Sequence, residues 1–92
     1  MLYIKTTRYN LNSNIRAEDI QPVKSDSVQD TMYCVLKGIA SDLNDKYESY
    51  GSLESVKNDM TKIEIFKDEA LEELVAEKTL RDVDVAEELW KF

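Results

Sequence analysis

Glycine and proline, the residues that most readily turn or interrupt a chain, are nearly absent from this sequence. Its 92 residues contain two glycines, Gly38 and Gly51, and one proline, Pro22. None of the three lies between residues 52 and 92. Because these residues usually mark turns and helix ends, their scarcity predicts few turns and long regular elements. The many Glu, Lys, Leu and Ala residues favour helix for those elements.

The first residues of the chain are predicted to form a small, irregular β-element. Leu2–Tyr9 is rich in β-branched and aromatic residues, which favours a strand. Asn10–Asn14 is a cluster of turn-forming residues. For Ile15–Val23 two alternatives stay open: a strand that returns beside the first, or a short helical turn that ends before Pro22.

The clearest helix is predicted for Ser25–Tyr50. Ser25, Asp26 and Ser27 provide hydrogen-bond acceptors that cap a helix N-terminus, and Gly51 follows where a left-handed residue would end the helix. Apolar residues recur at steps of three, four and seven, so they share one helical face. That face consists of Val28, Met32, Val35, Leu36, Ile39, Leu43, Tyr47 and Tyr50.

A second long helix is predicted after Ser52, because apolar residues again fall on one helical face and no Gly or Pro interrupts them. The alternative makes Lys62–Phe66 (KIEIF) a short strand and lets Asp68 cap a new helix. The β-branched residues at 61, 63 and 65 favour that strand. Of the two, we favour the helix.

A short last helix is predicted to begin at Asp82, with Trp90 and Phe92 packed back on the core. The complete prediction is a mainly α (α+β) fold: a helical hairpin plus a short C-terminal helix, with the small N-terminal β-element. A chain of this length is enough for one domain. In that domain, 1–92, an acidic helical region, 25–92, follows the β-element (1–24).

Small residues form a second stripe on the first predicted helix, also at steps of three and four. The stripe consists of Ser27, Thr31, Cys34, Gly38 and Ser41. Small side chains let another backbone approach closely. A domain of this size buries only roughly 60–65% of its unfolded surface, so a second copy would stabilise it. We therefore predict Thr31, Cys34, Gly38 and Ser41 as a dimer contact; the alternative is an ordinary exposed face that lacks long side chains.

Composition excludes most catalytic and metal sites. The chain has no histidine and one cysteine, Cys34, so a Ser–His–acid triad, a Cys–His pair and a Cys/His zinc site cannot form. Two glycines cannot build a phosphate-binding loop. We expect no cofactor, no metal and no enzymatic activity. The alternative is a divalent ion held by carboxylates alone.

The sequence predicts a cytoplasmic protein that does not enter a membrane. No apolar run approaches the roughly 18 residues of a transmembrane helix. The first ten residues, MLYIKTTRYN, contain no apolar signal core. A single cysteine fits a reducing compartment.

Negative charge is concentrated in the second half of the chain. The formal net charge is −7; residues 42–92 contain fifteen acids and seven bases, whereas residues 1–41 contain four acids and five bases. Such a one-sided field repels nucleic acid and anionic membranes and attracts basic surfaces. We therefore expect a cationic protein as the partner and no direct binding of nucleic acid. The alternative is a solvated surface that keeps a small protein soluble.

Six of the acids form two rows on the helix predicted through residues 64–78, each row at steps of four. The rows are Glu64, Asp68 and Glu72, and Glu69, Glu73 and Glu77. Like charges at this spacing cost roughly 0.2–0.5 kcal/mol per pair, so helix stability alone does not explain them. Carboxylates repeated on each turn, about 5.4 Å apart, approach the spacing of phosphates along a DNA strand. They could compete for a groove that collects Lys and Arg.

The chain resembles the small anti-restriction proteins of T-even bacteriophages, the Arn family. The similarity lies in its length, its lack of a catalytic motif and its acidic segments LNDKYESYGSLES and FKDEALEELVAEKTLRDVDVAEELWKF. The resemblance implies a DNA mimic in the host cytoplasm that occupies the DNA-binding surface of a modification-dependent restriction nuclease of the McrBC type, and so protects phage DNA. It also implies basic nucleoid proteins as further partners, and a homodimer. The carboxylates predicted to stand for phosphates are Asp59, Glu64, Asp68, Glu69, Glu72, Glu73, Glu77, Asp82, Asp84, Glu87 and Glu88.

The main alternative function is a small acidic helical adaptor or transcription regulator that binds a host protein through an apolar surface. Aromatic residues are the usual anchors of such interfaces. The candidates are Tyr33, Tyr47, Tyr50, Trp90 and Phe92. This alternative predicts binding that depends weakly on salt, whereas binding by charge complementarity weakens with salt.

Overall fold

Residues 1–85 fold into one antiparallel sheet with a single long helix against it. The structure, a computed structural model, describes residues 1–85. Its elements are β1 (Leu2–Asn10), β2 (Arg16–Val23), α1 (Val28–Tyr50), a 3₁₀ turn (Glu54–Val56), β3 (Asp59–Phe66), β4 (Leu74–Arg81) and a second 3₁₀ turn (Asp82–Asp84). The strand order in the sheet is β2-β1-β3-β4, and every neighbouring pair is antiparallel.

The predicted mainly α fold with a helical hairpin is therefore wrong. The second long helix does not exist, because the chain from Asp59 to Arg81 forms two strands instead. Where the short last helix was predicted, the described residues show a 3₁₀ turn over Asp82–Asp84. The rest of that predicted helix, with Trp90 and Phe92, lies outside the described residues. The fold is α+β, with a four-stranded sheet and α1.

The strand β3 follows from side-chain alternation that the helical interpretation overlooked. Thr61, Ile63 and Ile65 point to α1 and are fully buried, whereas Lys62 and Glu64 lie on the other face and are only half-buried. A period of two places alternate residues on opposite faces, which suits a strand and not a helix. The rejected alternative for the KIEIF segment is thus the one that the structure adopts.

The predicted N-terminal strand is confirmed, and the open alternative there is resolved as a returning strand. The two strands are nine and eight residues long and regularly paired, so the prediction of a small, irregular element is wrong. β2 pairs with β1 in register from Leu2 opposite Val23 to Tyr9 opposite Arg16. Every residue of β2 from Arg16 to Pro22 is exposed, since α1 does not cover this strand. Strand β2 therefore extends the sheet beyond the core.

The helix predicted over Ser25–Tyr50 is confirmed, beginning at Val28. The Ser27 hydroxyl accepts a hydrogen bond from the Asp30 N–H at 3.2 Å, so Ser27 is the N-cap. Gly51 has φ 74° and donates its N–H to the Tyr47 carbonyl at 2.7 Å. Both ends thus use the capping chemistry that the sequence indicates.

The core lies between α1 and the sheet face that this helix covers. It consists of Leu2, Ile4, Met32, Leu36, Ile39, Leu43, Val56, Ile63, Ile65, Leu80 and Val85. Met32, Leu36, Ile39 and Leu43 of the predicted apolar face of α1 are buried and Val35 is partly buried, but its last two members, Tyr47 and Tyr50, are exposed. The opposite sheet face, called the outer face below, carries mixed polar, charged and aromatic residues.

Candidate functional site

Six predicted carboxylates come together on the hairpin formed by β3, β4 and the turn between them. We call residues 62–78 the acidic hairpin. Its carboxylates are Glu64, Asp68, Glu69, Glu72, Glu73 and Glu77. The hairpin contains three lysines against these six acids, which gives a formal net charge of −3. The structure therefore gathers more than half of the predicted acids on one element, although not in the predicted way.

The two helical rows of carboxylates are wrong, because no helix passes through them. On the sheet, Glu64 of β3 lies directly opposite Glu77 of β4. Both point to the outer face, since their neighbours Ile63 and Ile65 point to α1. The Lys62 ammonium lies 4.0 Å from a Glu64 carboxylate oxygen, which offsets part of the repulsion. Like charges directly opposite each other destabilise a sheet, so this pair does not serve stability.

The turn of the acidic hairpin is organised by the Asp68 side chain. Its carboxylate accepts hydrogen bonds from the Glu73 N–H at 2.8 Å and from the Glu72 N–H at 3.1 Å. These backbone donors, the Glu73 N–H most of all, hold the pKa of Asp68 below its usual range even though partial desolvation opposes them. Asp68 is therefore committed to the turn and is a poor mimic of a phosphate.

The other carboxylates of the turn are exposed and held in place by its backbone. Leu71 takes a left-handed conformation with φ 59°, and its N–H bonds to the Asp68 carbonyl at 3.2 Å. The Lys67 N–H bonds to the Glu73 carbonyl at 3.0 Å and closes the turn. Glu69, Glu72 and Glu73 all project into solvent. A fixed backbone with free carboxylates can present negative charge without the cost of ordering a loop.

The remaining predicted carboxylates lie outside the acidic hairpin. The Asp59 carboxylate accepts a hydrogen bond from the Asn10 amide at 2.7 Å, at the opposite end of β3. Asp84 pairs with the Arg81 guanidinium at 3.3 Å. Glu87 and Glu88 lie outside the described residues.

Asp82 is buried and cannot act as an exposed phosphate mimic. Its side chain is 1% exposed, and its two oxygens accept from the Arg8 guanidinium at 2.6 Å and from the Thr61 hydroxyl at 2.5 Å. Arg8 also lies 3.7 Å from Asp42 on α1, and Lys46 contacts the same Asp42 at 3.2 Å. We call these five residues the Arg8–Asp82 cluster.

The Arg8–Asp82 cluster ties the sheet to the helix and to the turn that follows β4. Burial opposes the charged form of Arg8, but the hydrogen bond and charge of Asp82, with Asp42 and Asp59 nearby, raise its pKa overall. Sequence reasoning missed the cluster, because Arg8, Thr61 and Asp82 are far apart in the chain. No local motif connects them, and only the strand pairing brings them together.

The residues predicted as a dimer contact are only partly on the surface. Cys34, Gly38 and Ser41 are exposed, and a Cβ on Gly38 would meet no atom within 4 Å. Thr31, in contrast, is 2% exposed within its own chain, and its hydroxyl has no hydrogen-bond partner among residues 1–85. The contact through this stripe stays a prediction, without Thr31 as an accessible member.

The aromatic residues of the adaptor hypothesis lie along α1. Tyr33, Tyr47 and Tyr50 are exposed, with Tyr50 the most so at 72%. Tyr47 borders a shallow groove of about 240 Å³ between the end of α1 and the two 3₁₀ turns. The groove is lined by Ala40, Leu43, Asn44, Tyr47, Leu53 and Val83. Trp90 and Phe92 fall outside the described part of the chain.

Between residues 1 and 85, no group of three or more Cys, Asp or Glu side chains is arranged to hold a metal ion. No helix within this range is long and apolar enough to cross a membrane.

Comparison with known proteins does not identify a relative of this fold and site. No protein-family model matches the chain, and neither a curated protein nor a solved structure is significantly similar to it.

Proposed function

We propose that this protein is a DNA-mimic inhibitor, which acts in the host cytoplasm by occupying the DNA-binding surface of another protein. The observation that carries the proposal is the acidic hairpin, with Glu69, Glu72, Glu73 and Glu77 exposed on a fixed backbone. The overall charge of −7 adds a long-range attraction toward any basic surface.

The acidic hairpin offers a sheet-based way to imitate phosphates. Same-face residues on one strand are about 6.6 Å apart, and neighbouring strands are about 4.8 Å apart. Carboxylates on β3, β4 and their turn thus form a compact array and not a single row. DNA-binding proteins collect Lys and Arg to contact phosphates, so such a surface would accept this array. Because the attraction is between exposed charges, binding should weaken as salt rises.

The target that we propose is a modification-dependent restriction nuclease of the McrBC type, with basic nucleoid proteins as further partners. The support for this choice is the resemblance of the acidic segments to phage anti-restriction proteins. Occupation of the nuclease by this protein would protect phage DNA from cleavage. The proposal needs no catalysis by the chain itself.

The test is a cleavage assay of methylated plasmid by a nuclease of this type, titrated with the protein. The hairpin variant Glu69→Gln/Glu72→Gln/Glu73→Gln/Glu77→Gln removes four exposed charges. The control variant removes four exposed charges elsewhere: Glu18→Gln, Asp19→Asn, Asp45→Asn and Glu48→Gln. Both variants have the same net charge, so they separate the position of the charges from their number.

The wild-type protein is expected to inhibit, and inhibition should decrease with added salt. Each of the four carboxylates is expected to form an exposed ion pair with the target that contributes a few tenths of a kcal/mol to binding. The hairpin variant should therefore need about tenfold more protein for the same inhibition. The control variant should lose much less. Equal loss in both variants would assign inhibition to net charge alone, and no inhibition by the wild type at large excess would remove this target.

A second candidate function, an adaptor that binds a host protein, is favoured by one observation. Tyr47 is exposed and borders the groove at the end of α1, where an apolar anchor could be buried, and Tyr50 is exposed one turn further along the helix. If this surface binds the target, Tyr47→Ala/Tyr50→Ala should abolish binding while the hairpin variant retains it. Binding should also persist at 0.5 M salt, where the Debye length is about 4–5 Å and attraction between exposed charges is largely screened.

A further inference from the structure

Strand β4 is an open edge of the sheet. It pairs with β3 on one side, and no other strand in residues 1–85 lies on its second side. Half of the backbone N–H and C=O groups of an edge strand point away from the sheet, where they can pair with another chain. The other edge, β2, contains Pro22, which lacks an N–H and so weakens pairing there. β4 contains no proline over its eight residues.

The sequence of β4 is self-complementary in one antiparallel register. A two-fold axis perpendicular to the sheet keeps the same faces together, so one residue of β4 must lie opposite its own copy. If that residue is Thr79, Glu77 of each copy lies opposite Arg81 of the other copy. All three side chains point to the outer face. Centring on Lys78 or on Glu77 instead would place like charges opposite each other.

Within residues 1–85 of its own chain, Glu77 has no cationic partner. Its direct neighbour on β3 is Glu64, and Glu77 makes no ion pair among the described residues. Arg81 of the second copy would neutralise it. The Arg81 side chain is half exposed, and among residues 1–85 it pairs with Asp84 through its Nε at 3.3 Å. Its two terminal nitrogens can therefore donate to a second carboxylate.

We infer that β4 pairs with β4 of a second copy of this chain, centred on Thr79, and joins two sheets into one continuous sheet of eight strands. Two Glu77–Arg81 ion pairs fix the register, and a Thr79–Thr79 contact lies at the centre. The inference does not depend on the proposed function; in the dimer Glu77 is paired, and Glu69, Glu72 and Glu73 are the carboxylates of the acidic hairpin that stay exposed. It places the second copy on a different surface from the helix contact predicted through Gly38.

The experiment is sedimentation equilibrium of the full chain from about 1 µM to 1 mM protein. The wild type is expected to show a monomer–dimer equilibrium. Glu77→Arg alone and Arg81→Glu alone each place like charges at both cross-strand pairs, and each should raise the dimer Kd at least about tenfold. An equimolar mixture of these two variants restores opposite charges at both positions, so a heterodimer should form with near wild-type affinity. The double variant E77R/R81E should likewise dimerise with itself.

Folding does not confound this design. Glu77→Arg places a cation opposite Glu64 and should stabilise the monomer, and far-UV circular dichroism checks each variant. Glu18→Arg on β2 and Gly38→Arg on α1 are the controls, because they change the other edge and the helix stripe. The inference is overturned if the protein is monomeric at all concentrations, if Glu77→Arg leaves the Kd unchanged, or if a control weakens the dimer more than Glu77→Arg does.

Discussion

The Arg8–Asp82 cluster allows a quantitative prediction about stability. Arg8→Met keeps most of the side-chain volume but leaves the Asp82 carboxylate, which is 1% exposed, with the Thr61 hydroxyl as its one remaining side-chain partner in residues 1–85. Breaking a buried ion pair in this way costs about 3–5 kcal/mol. Because the Arg8 side chain is 42% exposed and water can reach its side of the pair, we reduce the expected cost to about 2–3 kcal/mol.

The assay is urea denaturation followed by circular dichroism, supported by thermal melts. A loss of 2–3 kcal/mol corresponds to a decrease in Tm of about 10–20 °C for a domain of this size. Lys5→Met is the matched control, because Lys5 lies on the same strand but pairs with Glu18 on the outer face at 3.9 Å. That exposed pair should contribute less than about 0.5 kcal/mol.

The two variants together decide whether the cluster stabilises the fold. If Arg8→Met costs no more than Lys5→Met, the Asp82 carboxylate does not depend on Arg8 and the reasoning is refuted. The double variant Arg8→Met/Asp82→Leu gives a further check. Replacing both charges by apolar groups should recover most of the loss, since the main cost comes from an unpaired buried charge.

Two further predictions concern the turns. The pKa of Asp68 is lowered from 3.8, so its contribution to the turn is present above that pH and is lost as the pH falls through the lowered value. The protection factors of the Glu72 and Glu73 amides, measured by NMR hydrogen exchange and corrected for the intrinsic pH dependence of exchange, should fall there, and Asp68→Asn should show no such step. Gly51→Ala should destabilise the fold by about 1 kcal/mol in urea denaturation, because φ is 74° at this position and an L side chain is strained there. Equal stability of Gly51→Ala and wild type would contradict the second prediction.

Sequence reasoning predicted the first half of the fold because local chemistry determines it. The N-cap at Ser27, the C-cap at Gly51 and the apolar spacing between them are all short-range signals. The strand Leu2–Tyr9 and the turn after it also follow from local composition. Each of these elements would be recognised in any context.

The second half was mispredicted because its turn uses neither glycine nor proline. Asp68 replaces the missing signal by accepting two backbone hydrogen bonds, and Leu71 adopts the left-handed conformation that Gly usually provides. The alternation of Thr61, Ile63 and Ile65 was the signal for β3. It was outweighed by apolar residues that also fit a helical spacing.

The candidate site was predicted in its residues but not in its geometry. Glu64, Glu69 and Glu77 were selected as members of helical rows, whereas a hairpin brings them together. Asp82 was assigned to the surface, although its burial depends on Arg8 and Thr61 from other strands. Such contacts depend on sheet topology, which a single sequence pattern does not contain.

Because α1 does not cover β2, the turn between β1 and β2 is a suitable place to insert a foreign segment. Residues 16–22 are exposed along their whole length, so β2 contributes little to the core, whereas Leu2 and Ile4 of β1 belong to it. The turn from Leu11 to Ile15 is exposed at every residue and lies far from the acidic hairpin. Exposed loop tips of this kind tolerate insertions well. This turn is therefore the place to insert an affinity tag or a fluorescent label while the rest of the molecule keeps its shape.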